Sequence, residues 1–131
     1  MVVVLFIFLS MFFWALAAFF NAVMDTLAHH YYTSIFNDKK YDRQFYNPAL
    51  SDHSYIIPNT KYKCDAWHLS KSSMIICQAT SNCCIFVVGV QLIPETSIWI
   101  IGLDVSVLMI VLGFIWNGVF NLFYNKVLIK K

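Results

Sequence analysis

Three stretches of this chain are too apolar and too long for an ordinary water-soluble domain. Residues 2–23 are interrupted only by Ser10 and Asn21, and residues 74–93 and 98–123 repeat the theme. In a helix, about 20 apolar residues match the roughly 30 Å hydrocarbon core of a bilayer. Composition agrees. Of 131 residues, 60% are hydrophobic and 12% charged, against about 25% charged in a typical soluble domain. A chain this short cannot hide so much apolar surface in one aqueous core. Within hydrocarbon, a single segment satisfies its own backbone hydrogen bonds only as a helix. The expected fold is therefore all-α: one polytopic membrane domain over residues 1–131 with three transmembrane helices at about 2–23, 74–93 and 98–123.

Ala15-Leu16-Ala17 looks like a signal-peptidase site. No Lys or Arg precedes the apolar run, however, and signal peptides carry a positive n-region. The first run is expected to stay attached as a span.

The loop over about 24–69 holds most of the charge and all four histidines. No Gly or Pro follows Asp25 until Pro48, so the first helix is expected to continue to about Phe36. Asn47-Pro48 and Ile57-Pro58-Asn59 read as turns. Tyr31, Tyr32, Tyr41, Phe45, Tyr46, Tyr55 and Tyr62 make the loop too aromatic for disorder, and it is expected to pack at the membrane surface. The second helix opens near Trp67 and stops at Pro94.

All nine basic residues fall to one side of the spans: Lys39, Lys40, Arg43, Lys61, Lys63, Lys71, Lys126, Lys130 and Lys131. The connection at Pro94-Glu95-Thr96 carries none. The positive-inside rule places the large loop and the C-terminus in the cytoplasm, with the inner or plasma membrane as the expected location. A net charge of +2 without a basic stripe excludes a nucleic-acid surface.

Candidate chemistry gathers at the loop side. Asn21, Asp25 and His29 recur every four residues and share one helix face, with His30 adjacent. Asp65 and His68, three apart, meet if their segment is helical. The first and second spans run antiparallel, so Asp25, His29, His30, Asp65 and His68 are expected at one membrane surface. Imidazoles with carboxylates suit one divalent transition metal, or a carboxylate can orient an imidazole for acid–base work. The simplest reading is a hydrogen-bonded polar collar beside Tyr31, Tyr32 and Trp67.

Cys64, four residues before His68, extends the conceivable ligand set to a zinc site, although a reduced thiol is the simpler assignment. Cys64, Cys77, Cys83 and Cys84 form no CxxC pair. Asp104 interrupts the third run early and is expected in the outer headgroup zone with Trp99. Asn21, Gln78, Asn82, Asn117 and Asn121 are expected as polar helix-interface residues, with Asn117 and Asn121 bonding to Ser70, Ser73 or Gln78 across helices or closing a polar pocket. GxSxG, HExxH and phosphate-cradling glycine loops are absent.

The strings Asn21-Ala22-Val23-Met24-Asp25-Thr26-Leu27, Ser34-Ile35-Phe36, Tyr46-Asn47-Pro48, Thr60-Lys61-Tyr62-Lys63 and Asp65-Ala66-Trp67-His68-Leu69-Ser70-Lys71 carry a resemblance. Over roughly residues 20–77 the chain resembles a group of small uncharacterised integral membrane proteins of bacteria and their phages. The resemblance implies membrane integration and draws attention to Asp25, Asp65, Trp67 and His68. It implies no activity. Other residue types stand at positions 29 and 30 in that group, which weighs against a metal site needing both histidines.

Three functions fit. The first is a non-catalytic accessory or partner-binding membrane component, whose partners are the lipid bilayer and other membrane proteins or further copies of itself. The second is a membrane-embedded metalloprotein or hydrolase built on the Asp/His cluster. A channel or transporter is third, and three spans make a pore only by oligomerising.

Overall fold

A computed structural model describes residues 2–51, 64–93 and 97–130. His53, Lys61, Lys63, Tyr55, Tyr62, the turn at Ile57-Pro58-Asn59 and the connection at Pro94-Glu95-Thr96 lie outside the described residues. The elements run in chain order: α1 Val2–His29, 3-10 turns Tyr31–Thr33 and Ile35–Asn37, α2 Arg43–Tyr46, α3 Pro48–Ser51, α4 Ala66–Leu92, α5 Ile98–Leu122, and a π-helical turn Phe123–Leu128. α1, α4 and α5 with its π-helical extension are each long and apolar enough to cross a membrane.

Small residues set how the spans approach. Ser10, Ala17, Ala18 and Ala22 of α1 have no exposed surface, and on α4 Ser70, Cys77, Ser81, Cys84 and Val88 are buried. Lipid solvates helix faces as well as other helices do, so close contact between spans rests on small side chains and on polar bonds. One such bond joins the two helices: Ser81 Oγ donates to the Ser10 carbonyl at 2.9 Å. Other hydroxyls bond back along their own helix, as Thr26 does to the Ala22 carbonyl at 2.7 Å and Ser106 to the Gly102 carbonyl at 2.7 Å. Their polarity is thereby satisfied without water.

The direction of each span follows from its partners. Ala66 clusters with Leu27 at the loop end while Ser81 meets Ser10, so α4 is antiparallel to α1. Trp116 packs on Trp14 at 5.7 Å between ring centroids, and Phe123 on Phe19 at 4.7 Å, so α5 runs parallel to α1. α1 is the hub: it packs extensively on α4 and less on α5, whereas α4 and α5 scarcely touch. Within α5, Leu112 is the buried residue.

A small mixed core sits at the loop end. Ala22, Val23, Leu27, Tyr31, Phe36, Ala66 and Leu128 are buried together, with Phe45, Tyr46, Trp67 and Tyr124 packed around them. The described part of the loop thus packs on the ends of the spans. The C-terminal tail joins it: Ser34 bridges Ile129, and the Lys130 N–H donates to the Thr33 carbonyl at 2.7 Å.

The expected continuation of α1 to Phe36 is corrected. The helix ends at His29. Ser34 is extended (φ −91°, ψ 167°), and its hydroxyl donates to the Tyr31 carbonyl at 2.7 Å and accepts from the Phe36 N–H at 3.2 Å. A serine hydroxyl that bonds nearby backbone in this way offers the chain an alternative to the helical ladder.

Candidate functional site

Asp65 opens α4. It is extended (φ −113°, ψ 172°), and its Oδ1 accepts the His68 backbone N–H at 2.8 Å. Asx residues at this position satisfy one of the helix's orphan donors, and the helix's positive end favours a carboxylate there. The same Oδ1 lies 2.9 Å from His68 Nδ1. Asp65 is 2% exposed, while the His68 side chain is 43% exposed. The spacing of three that marked this pair in the sequence is therefore the spacing of a cap, and the cap also orients an imidazole. The His68 ring stands edge-on to Trp67 at 4.9 Å, and Lys71 Nζ lies 4.9 Å from the Trp67 ring centroid. Cys64 precedes the pair, and burial first, then the neighbouring Asp65 charge, push its thiol up. Cys64 is held as a thiol and is a poor thiolate ligand or nucleophile at neutral pH.

The other acid–imidazole group lies at the end of α1. Asp25 is half-buried and near enough to Tyr124 to bear electrostatically on its phenol. His29 is exposed. His30 is exposed too, and its ring meets Tyr124 edge-on at 5.5 Å. Asp25, His29 and His30 do not join Asp65 and His68 in a metal-sized cluster. Among the described residues, no three His, Cys, Asp or Glu side chains come together in a way that could hold a metal ion. The reason is local. α1 stops at His29, His30 turns toward the C-terminal segment, and the Asp65 carboxylate is turned back on its own helix as a cap. The two groups share the loop end of the spans as two separate pairs of contacts. The four cysteines, Cys64, Cys77, Cys83 and Cys84, are free thiols.

The polar residues expected at helix interfaces divide between the inside and the outside of the single chain. Asn21 and Gln78 are half-buried, whereas Asn82, Asn117 and Asn121 are exposed. Asn117 and Asn121 bond along their own helix: Asn121 Nδ2 donates to the Asn117 carbonyl at 2.9 Å and to Asn117 Oδ1 at 2.6 Å. Asn125 Nδ2 continues the ladder to Asn121 Oδ1 at 3.1 Å. Their bonds run up the helix and their exposed side faces outward. The polar first half of α4, Ser81 included, points in the sequence to a helix interface, and the Ser81 bond to α1 agrees. Sequence reasoning missed the Ser10 carbonyl as its partner, and missed Tyr124 and Asn125. A repeat of Asn at every fourth position over 117, 121 and 125 was the available signal for the last.

At the opposite end of the bundle, Asp104 lines a crevice of about 500 Å³ with Val3, Ile7, Val88 and Leu108. Asp104 and Trp99 are exposed, and Asp104 stands level with the start of α1.

No family model, curated protein or solved structure matches the chain.

Proposed function

We propose that this chain is a non-catalytic membrane component that acts by binding a partner protein through its spans. The observation that carries this reading is on α5. This helix buries Leu112 against the rest of the chain, while Asn117 and Asn121 face outward. An amide in hydrocarbon is a costly group for lipid to solvate and a good one for another helix to bind. The count of basic residues supports a cytoplasmic large loop and C-terminus, in an inner or plasma membrane.

The test is gentle solubilisation of native membranes after brief cross-linking. The full chain is expected in a complex larger than its own mass. A chain that migrates alone under every mild condition overturns the proposal.

A second reading rests on the Asp65–His68 contact. A carboxylate at 2.9 Å from Nδ1 orients an imidazole, which is the arrangement acid–base chemistry needs, and Asp25 and His29 stand at the same end. Elemental analysis of the purified chain separates the two readings. Stoichiometric zinc, iron or copper that vanishes in His68→Ala favours the metalloprotein. Absence of metal, with His68→Ala lowering only thermal stability, favours the binding component.

A further inference from the structure

The outward side of α5 is specific in its chemistry. At 100° per residue, Leu103, Ser106, Ile110, Phe114, Asn117 and Asn121 fall opposite the buried Leu112, and all are exposed. The depth of the amides follows from the neighbouring ring contact. Trp116 packs on Trp14, which lies near the middle of the apolar run of α1. Asn117 is the next residue, so its amide lies within hydrocarbon rather than among headgroups. Asn121 is one helical turn nearer the loop end.

The ladder leaves polar capacity unused. Asn121 Nδ2 and Asn125 Nδ2 are the donors of the intrahelical bonds, so the Asn117 amide serves as acceptor and its own two N–H groups are not spent there. Gly113 lies one turn before Asn117. A Cβ built on it meets nothing within 4 Å, so nothing inside the chain requires a glycine there. Further along, Ile98, Trp99, Leu103 and Ser106 surround a shallow notch over Gly102, where a Cβ would again meet open space.

We infer that a second copy of this chain covers this face, as a parallel α5–α5 pair bonded through Asn117 and Asn121. The inference deepens the partner-binding reading and rests on it. A second copy is the fitting occupant because an asparagine amide is both donor and acceptor. Two copies inserted in the same orientation, related by a two-fold axis along the membrane normal, bring each amide opposite its own counterpart at the same depth. A different protein would have to supply matching amides at that depth. Gly113, at the flank of this face one turn before Asn117, adds no side chain to hinder the second helix.

Two measurements on the full chain in phosphatidylcholine vesicles test this. Energy transfer between donor- and acceptor-labelled copies should rise with the protein-to-lipid ratio. Asn117→Leu/Asn121→Leu should need about tenfold more protein for the same transfer, as expected for losing a pair of buried amide bonds. Both positions are exposed, so helical content should not change. Oxidation should link copies carrying Ile110→Cys or Phe114→Cys, while the native Cys83, exposed on α4, should not link copies. Dimers formed through Cys83, or energy transfer unchanged in the double variant, overturn the inference. In native membranes, Phe114→Cys linked only to a different protein overturns the second copy and leaves partner binding standing. Linkage to nothing, with a monomer at every protein density, overturns both.

Discussion

One Asp65 oxygen serves His68 twice, accepting its backbone N–H at 2.8 Å and standing 2.9 Å from its ring Nδ1. The carboxylate therefore starts α4 and orients the imidazole with the same atom. Asp65→Ala should destabilise the fold by about 0.5–2 kcal/mol, the usual cost of losing an N-cap. Asp65→Asn should retain most of that, since asparagine caps as well. Thermal unfolding of the two variants in detergent checks the ordering, and equal losses would show that the cap is not what Asp65 contributes.

Tyr31 is 5% exposed, and its hydroxyl has no hydrogen-bond partner among the described residues. Tyr31→Phe should raise stability by about 1 kcal/mol by removing an unsatisfied buried group. Burial, partly opposed by Arg43, raises the Tyr31 pKa above 10.0, and burial followed by Tyr41 raises that of Tyr46. The folded state holds these protons more tightly than the unfolded chain. Their stabilisation is complete below pH 10 and is lost as pH climbs through the raised folded values. Stability measured from neutral to strongly alkaline pH should fall above about pH 10, and less steeply in Tyr31→Phe.

Ser81 and Ser10 meet where both side chains are fully buried. Ser81→Ala removes the bond at a cost of about 0.6 kcal/mol, the average for interhelical polar contacts in membranes. Ser81→Leu forces α1 and α4 apart and should cost about 1–3 kcal/mol. Unfolding in mixed micelles resolves the two. A leucine tolerated as well as alanine would contradict the close approach of the helices.

Leu128 is 3% exposed, in the cluster with Leu27, Tyr31 and Phe36. Leu128→Ala should cost about 2–5 kcal/mol. It should also free the tail, seen as faster hydrogen exchange at the Lys130 N–H that now bonds Thr33. Unchanged exchange would show that the tail is held by its backbone bonds alone.

The spans were legible because lipid tolerates little else: long apolar runs bounded by Asp65, Pro94 and the loop charges leave helices as the solution. The Asp65–His68 contact was legible from its spacing. The end of α1 was not. Nothing in residues 25–36 looks like a breaker, and Ser34 becomes one through its own backbone bonds and through Ile129, almost a hundred residues away. The same limit hides from the sequence that Asp25, His29 and His30 form no metal-sized cluster with Asp65 and His68 among the described residues. Helical phase tells which residues share a face but not where the chain turns after the helix stops. Asn117 and Asn121 stand out in the sequence as the amides of the third run. Their outward direction depends on which side of α5 holds Leu112, and an all-round apolar helix carries no mark of that.

Whether the outward side of α5 is an interface decides how this protein works. The most direct measurement is the distance between spin labels on separate copies in vesicles, placed at Ile110 on α5 or at Cys83 on α4, with the remaining cysteines replaced by alanine. Labels at Ile110 should couple at the separation of two packed helices, with axes about 8–10 Å apart, and labels at Cys83 should lie farther apart. Ile110 labels that show no coupling between copies at any protein-to-lipid ratio, or Cys83 labels that lie closer than they do, would contradict an α5 interface.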